Sequence, residues 1–111
     1  MPDLDAEDAK LVTLARGARG RIGASTGAAL RDETGRTYAS ANVGLSSVSL
    51  SALVLVVAQA AASGARGVEA AVVVGGEASA SDILAVRDLG GVGVAIVECS
   101  ADGTVASRVV T

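Results

Sequence analysis

Histidine is absent from this chain and Cys99 is its single cysteine, so few side chains can act as nucleophile, base or metal ligand. Ser51 could attack a substrate only with Lys10 or a carboxylate as its base, and it reads more simply as a helix cap or packing residue. Cys99 would need a neighbouring base or cation to become a thiolate. Its sequence neighbours are Val97, Glu98 and Ser100, so it reads as an ordinary strand residue. Asp82 and Asp88 could form a carboxylate pair, but their spacing puts them on different faces of a helix. Asp82 is better read as an early carboxylate facing a helix N-terminus. Arg19, Arg21 and Arg36 could gather around a phosphate, yet scattered arginines usually form a solvated surface. The glycines of 17–23, Gly75-Gly76 and Gly90-Gly91-Val92-Gly93 lack the strand, spacing and downstream acid of a dinucleotide fingerprint, and read as helix stops and turns. A catalytic zinc needs about three protein ligands from Cys, His, Asp and Glu, and no such set is spaced here. No catalytic residue, metal ligand or cofactor site is therefore expected.

The elements that would position these groups follow from composition and pattern. The 111 residues suit one domain, residues 1–111, and half are apolar. Tyr38 is the only aromatic, so the core is built from Ala, Val and Leu and its layers must pack closely. Net charge is -3, with Lys10 the single lysine and arginines spread from Arg16 to Arg108, which argues against nucleic acid. One cysteine suits a reducing compartment, and the acidic segment from Met1 to Lys10 is unlike a signal peptide. The longest apolar run, Ala52 to Ala62, is far short of the roughly 20 residues that span a membrane. A soluble, cytoplasmic protein is expected.

Along the chain, Leu11, Val12, Leu14, Ala15 and Ala18 share a helical face behind Asp5 and Asp8, and the glycines predict a stop near Arg21. Thr26 to Arg31 and Arg36 to Val43 read as a hairpin around Asp32-Glu33-Thr34-Gly35. Ser46, Ser47 and Ser49 are candidate caps for a helix over Ala52 to Ala62, which Ser63-Gly64 stops. That helix is apolar around most of its circumference, which predicts burial on all sides. One small domain cannot enclose it, so a second subunit is expected to cover it. Glu69 to Val74 reads as a central strand. A helix from Asp82 to Leu89 follows, capped by Ser79 or Ser81. Val92 to Cys99 and Thr104 to Val110 then pair across the turn Ala101-Asp102-Gly103. Helices alternating with buried strands predict a mixed sheet with helices on both faces.

This order, with certain residues, resembles the cytidine deaminase family. Thr26-Gly27-Ala28-Ala29-Leu30 is similar to that family's Val-Gly-Ala-Ala-Leu strand. Tyr38 to Val43, ending Ala41-Asn42-Val43, is similar to its second strand, which ends Asn-Val-Glu. Gln59-Ala60-Ala61-Ala62-Ser63-Gly64 is similar to the end of its second helix, Ala70 to Val74 to its third strand, and Asp102-Gly103 to its last turn. The resemblance runs from Leu11 to about Val110. It implies a three-layer α/β/α sandwich on a five-stranded mixed sheet.

The departures bear on function. The family opens its second helix with Cys-Ala-Glu or His-Ala-Glu, supplying a zinc ligand and a proton shuttle. Counting back from Gly64, these positions fall on Ser51-Ala52-Leu53; counting forward from Asn42, on Leu53-Val54-Leu55. The family's Pro-Cys-Gly-x-Cys corresponds to Ala78-Ser79-Ala80-Ser81-Asp82, without a thiol. Its ribose-holding Glu corresponds to Gly44. Hydrocarbon from Leu53, Val54 and Leu55 is expected to fill the vacated space. Deamination requires a metal-activated water and a carboxylate for proton transfer, so loss of both removes the reaction. Asn42, at the position contacting the sugar, also reads as a polar residue closing a strand.

The expected function is thus non-catalytic, a pseudoenzyme serving as scaffold or protein-interaction module. The resemblance implies a homodimer or homotetramer, joined through the helix from Ala52 to Ala62. Two alternatives come from other classes. One is a sensor that binds a nucleoside or other small molecule near Asn42; the other is an enzyme using metal-free chemistry.

Overall fold

Each helix of the computed structural model, which describes residues 4–111, starts at a side chain that can accept a backbone N–H. Helix α1 (Ala6–Ile22) is capped by Asp5, whose carboxylate accepts the amide of Asp8 at 2.8 Å. It ends at Ile22, one residue beyond the predicted stop, and is capped by Gly23, whose φ of 65° suits glycine. Leu11, Val12, Ala15 and Ala18 form its buried stripe. Strands β1 (Gly27–Asp32) and β2 (Thr37–Ala41) make the expected hairpin. The strand predicted over Arg36 to Val43 is divided, however. Asn42 leaves the ladder, and Val43–Gly44 (β3) pairs instead with Ser49–Leu50 (β4) as a separate short ribbon. That ribbon takes Ser49 into a strand, and Ser46 and Ser47 into its turn, so none of the three caps a helix.

Helix α2 (Ala52–Ala62) begins from Ser51 and ends at Ser63. Strand β5 (Val68–Val74) runs to Gly75, and helix α3 (Ala80–Gly90) starts two residues before the predicted Asp82, with Ser79, one of the two predicted caps, as its cap. Strand β6 (Ala95–Cys99) begins later than predicted, because Gly91 and Gly93 hold positive φ values of 80° and 93° and turn the chain first. Strand β7 (Val105–Val110) returns beside it.

The main sheet has the order β2-β1-β5-β6-β7. β5 and β6 are parallel, and all other pairs are antiparallel. Alternation along the inner strands feeds two cores. Ala29, Ala70, Val72, Val74, Val97 and Cys99 pack with Leu11, Val12 and Ala15 of α1. Ala28, Leu30, Ala71, Val73 and Ile96 pack with Leu53, Val56, Ala60 and Val86 of α2 and α3. This is the expected three-layer α/β/α sandwich on a five-stranded mixed sheet. Small side chains bring the layers close together. A Cβ added to Gly27 would stand 2.1 Å from the Ala15 carbonyl oxygen, so α1 lies directly on the β1 backbone. No helix among the described residues is long and apolar enough to cross a membrane.

Within the single chain α2 is covered fully on one side only, as expected of a domain too small to enclose it. Ala52, Leu53, Val56, Val57 and Ala60 are buried, whereas Val54 and Leu55 are half-buried and Ala58, Ala61 and Ala62 are exposed. The sheet covers one face of a helix and α3 only part of the other.

Candidate functional site

The beginnings of α2 and α3 converge on one carboxylate. Ser51 has extended backbone, with φ -67° and ψ 156°, and its Oγ accepts the Val54 amide at 3.2 Å. The same hydroxyl donates to Oδ1 of Asp82 at 2.5 Å, across 31 residues of sequence. Asp82 occupies the third position of α3 and is 4% exposed. Its Oδ2 accepts the Ser79 amide at 2.9 Å, while Ser79 Oγ accepts the Asp82 amide at 3.1 Å. Ser79 and Asp82 thus form a reciprocal capping box, and Ser51 joins it to the other helix. The positive ends of two helix dipoles face this buried negative charge, which is the favourable arrangement.

A second buried carboxylate holds the amide one residue before Ser79 in the chain. Glu98 of β6 is 5% exposed. Its Oε2 accepts the Ala78 amide at 2.6 Å, and its Oε1 accepts the Ser107 hydroxyl at 2.5 Å. Sequence reasoning passed over Glu98 as a functional residue. The available signal was its position as the only charge in the apolar run from Val92 to Cys99.

The other predicted positions separate. Leu53 is 1% exposed and belongs to the core beneath α2, and Leu55 is half-buried on the far side of the helix. The expected filling of the mouth by Leu53, Val54 and Leu55 is therefore incorrect: Ser51, Ser79 and Asp82 occupy it with a polar network. Ser81 and Gly44 are exposed. Asn42 Oδ1 accepts the Thr26 amide at 3.0 Å and the Thr26 hydroxyl at 3.1 Å, with the Ser25 hydroxyl at 3.4 Å. The carbonyl of Asn42 thereby fastens the end of β2 to the start of β1.

Cys99 is 2% exposed. Burial pushes its thiol pKa up, and the negative charge of Asp102 adds to the shift. A thiol raised in this way stays protonated and unreactive. The three arginines do not gather. Arg19 donates from Nε to the Ser25 carbonyl at 3.1 Å, Arg21 is exposed, and Arg36 lies at the opposite end of the β1–β2 hairpin, beside Asp32. Asp88 is exposed, away from the buried Asp82.

The convergent mouth does not fit a zinc ion. Zinc centres use thiolate, imidazole or several carboxylate ligands, and the mouth offers one carboxylate and two neutral hydroxyls. Both Asp82 oxygens already receive O–H or N–H donors, and so do both Glu98 oxygens. Among the described residues, no group of three or more His, Cys, Asp and Glu could hold a metal ion.

These features define a deaminase-type α/β/α domain with a hydrogen-bonded helix mouth. A family model described as cytidine deaminase-like matches residues 4–103, and the chain belongs to that family. Three solved structures show the same fold. Cytidine deaminase from Burkholderia pseudomallei superposes with a TM-score of 0.78 at 24% identity, covering 92% of this chain and 89% of that one. The enzyme from Mycobacterium leprae gives 0.75 at 18% identity, covering 97% and 94%. A mutant cytidine deaminase from Mycobacterium tuberculosis gives 0.72 at 24% identity, covering 85% of each chain. Comparison with curated proteins found no significant match.

Proposed function

We propose that this chain is a non-catalytic member of the cytidine deaminase-like family, a scaffold that associates with copies of itself through the open face of α2. The observation that carries the reading is the donor set at the helix mouth. Ser51, Ser79 and Asp82 stand where the resemblance calls for metal-binding side chains, and on the count back from Gly64 Leu53 stands where it calls for the proton-shuttling glutamate. A neutral hydroxyl is a poor zinc ligand, and a core leucine moves no proton. The polar groups that do meet there satisfy one another. Asn42, the remaining candidate for a nucleoside contact, spends its carbonyl oxygen on Thr26 and Ser25.

Self-association is supported by the outward side of α2. Val54, Ala58 and Ala61 line a shallow groove with Ala85 and Leu89 of α3, and Asp88 of α3 is the one charged residue in its lining. The helix carries no charged residue from Ala52 to Ala62. The uncharged outer face of α2 suits an apolar partner, and a second copy presents the same chemistry. The lone buried thiol fits a reducing compartment, so we assign the protein to the cytoplasm.

The test is to purify the protein and measure zinc content, cytidine deamination and solution mass together. The reading expects no stoichiometric zinc, no ammonia release and a mass above that of the monomer. Turnover of cytidine abolished by a chelator would overturn it.

A further inference from the structure

We propose that Ser51, Ser79 and Asp82 form a metal-free clasp that couples the first turn of α2 to the first turn of α3 through one shared carboxylate. The inference rests on the reading of the mouth as free of metal and adds what holds it together. The path is continuous: the Val54 amide donates to the Ser51 hydroxyl, that hydroxyl donates to Asp82, and Asp82 receives the Ser79 amide. Each link places a donor against an acceptor, and bonds arranged in series polarise one another. Asp82 Oδ1 serves α2 while Oδ2 serves α3, so neither helix can shift at its start without losing a bond to the other.

Glu98 supplies the anchor. It holds the Ala78 amide from β6 and is itself held by Ser107 of β7. The segment between β5 and α3 is therefore pinned at two successive amides, Ala78 and Ser79, by carboxylates from different elements. A cation entering between Asp82 and Glu98 would have to displace N–H or O–H donors from the oxygens it sought. The clasp thus does by hydrogen bonding the mechanical task of joining two helix mouths that a bound cation could otherwise perform.

The experiment is a double-mutant cycle on the full chain, with Ser51→Ala, Asp82→Asn and the pair, read by urea unfolding and amide hydrogen exchange. Each single change should raise the unfolding constant about tenfold, and the pair should fall well short of the roughly hundredfold product. Asp82→Asn should also speed exchange of the Val54 amide on the other helix, and Ser51→Ala should do the same for the Ser79 amide. Ser51→Thr, which keeps the hydroxyl, should restore the native behaviour. If Asp82→Asn does not fold, the Ser79 amide in Ser51→Ala still decides the matter. Penalties that simply multiply, or amides on the opposite helix that keep their protection, overturn the clasp in protein shown to be metal-free. Stoichiometric zinc in the unaltered protein would remove the non-catalytic reading and the clasp together.

Discussion

Asp32 and Asp82 are both buried carboxylates with every oxygen engaged, yet they stabilise the molecule over different distances. Asp32 serves its own hairpin turn. Its Oδ1 accepts the Thr34 amide at 2.8 Å, the Thr34 hydroxyl at 2.7 Å and the Arg36 amide at 3.0 Å, and its Oδ2 accepts the Tyr38 hydroxyl at 2.9 Å. All these partners lie within six residues. Asp82 has the same chemistry, but one of its oxygens faces a residue 31 positions away. The first carboxylate shapes a turn; the second fixes how two helices meet. A local network depends only on neighbouring residues, whereas one between elements depends on how the sheet and helices are packed.

The largest expected effect comes from breaking the inter-element network outright. Asp82→Ala removes acceptors from the starts of both α2 and α3, and should cost about 2–4 kcal/mol in urea unfolding. A loss comparable to that of an ordinary surface substitution would erase the distinction between the two carboxylates. Asp32→Ala should destabilise less and should leave protection of the α2 and α3 amides in hydrogen exchange at its native level. If those helices open as readily as they do in Asp82→Ala, the turn is not a local unit.

The acid limb sharpens the same contrast. Burial works to raise the Asp32 pKa, but the hydrogen bonds from Thr34, Tyr38 and Arg36 outweigh it and hold the carboxyl below its usual value. Hydrogen bonds from Ser100 and Thr104, helped by Arg16, lower Asp102 to about 2. A group whose folded pKa is depressed adds stability above its unfolded value, near about 4, and loses it as pH falls through the folded value. Asp32→Asn and Asp102→Asn should therefore flatten the loss of stability below about pH 4 in acid unfolding curves. Curves parallel to that of the unaltered protein would contradict the assignment.

The smallest effect on folding should come from the open face of α2. Ala58→Glu places a charge in the groove beside Val54 and Ala61, and should change monomer stability by no more than about 0.5 kcal/mol. It should nevertheless lower the solution mass by light scattering. An assembly that survives this change joins through another surface.

Much of the fold could be read along the chain because its signals are local. The apolar face of α1, the continuously apolar β5, the turn around Asp32 and the glycines after α2 and α3 each fix an element from a few neighbouring residues. Those signals failed around Asn42 to Ser51, where five serines or glycines in ten residues offered several equally good caps and turns. Asn42 ends β2 because its side chain turns back to Thr26, a contact 16 residues distant.

The residue types alone determined that this protein has no imidazole and one thiol, and that its interior is aliphatic. Tertiary structure decided what takes their place. It brought Ser51 to Asp82, set Glu98 behind the Ala78 amide, and left one side of α2 open. The physical reason lies in what each depends on. Propensity and hydrophobic period act between near neighbours, whereas the match of one donor to one acceptor is fixed only when separate elements have packed to within hydrogen-bonding distance.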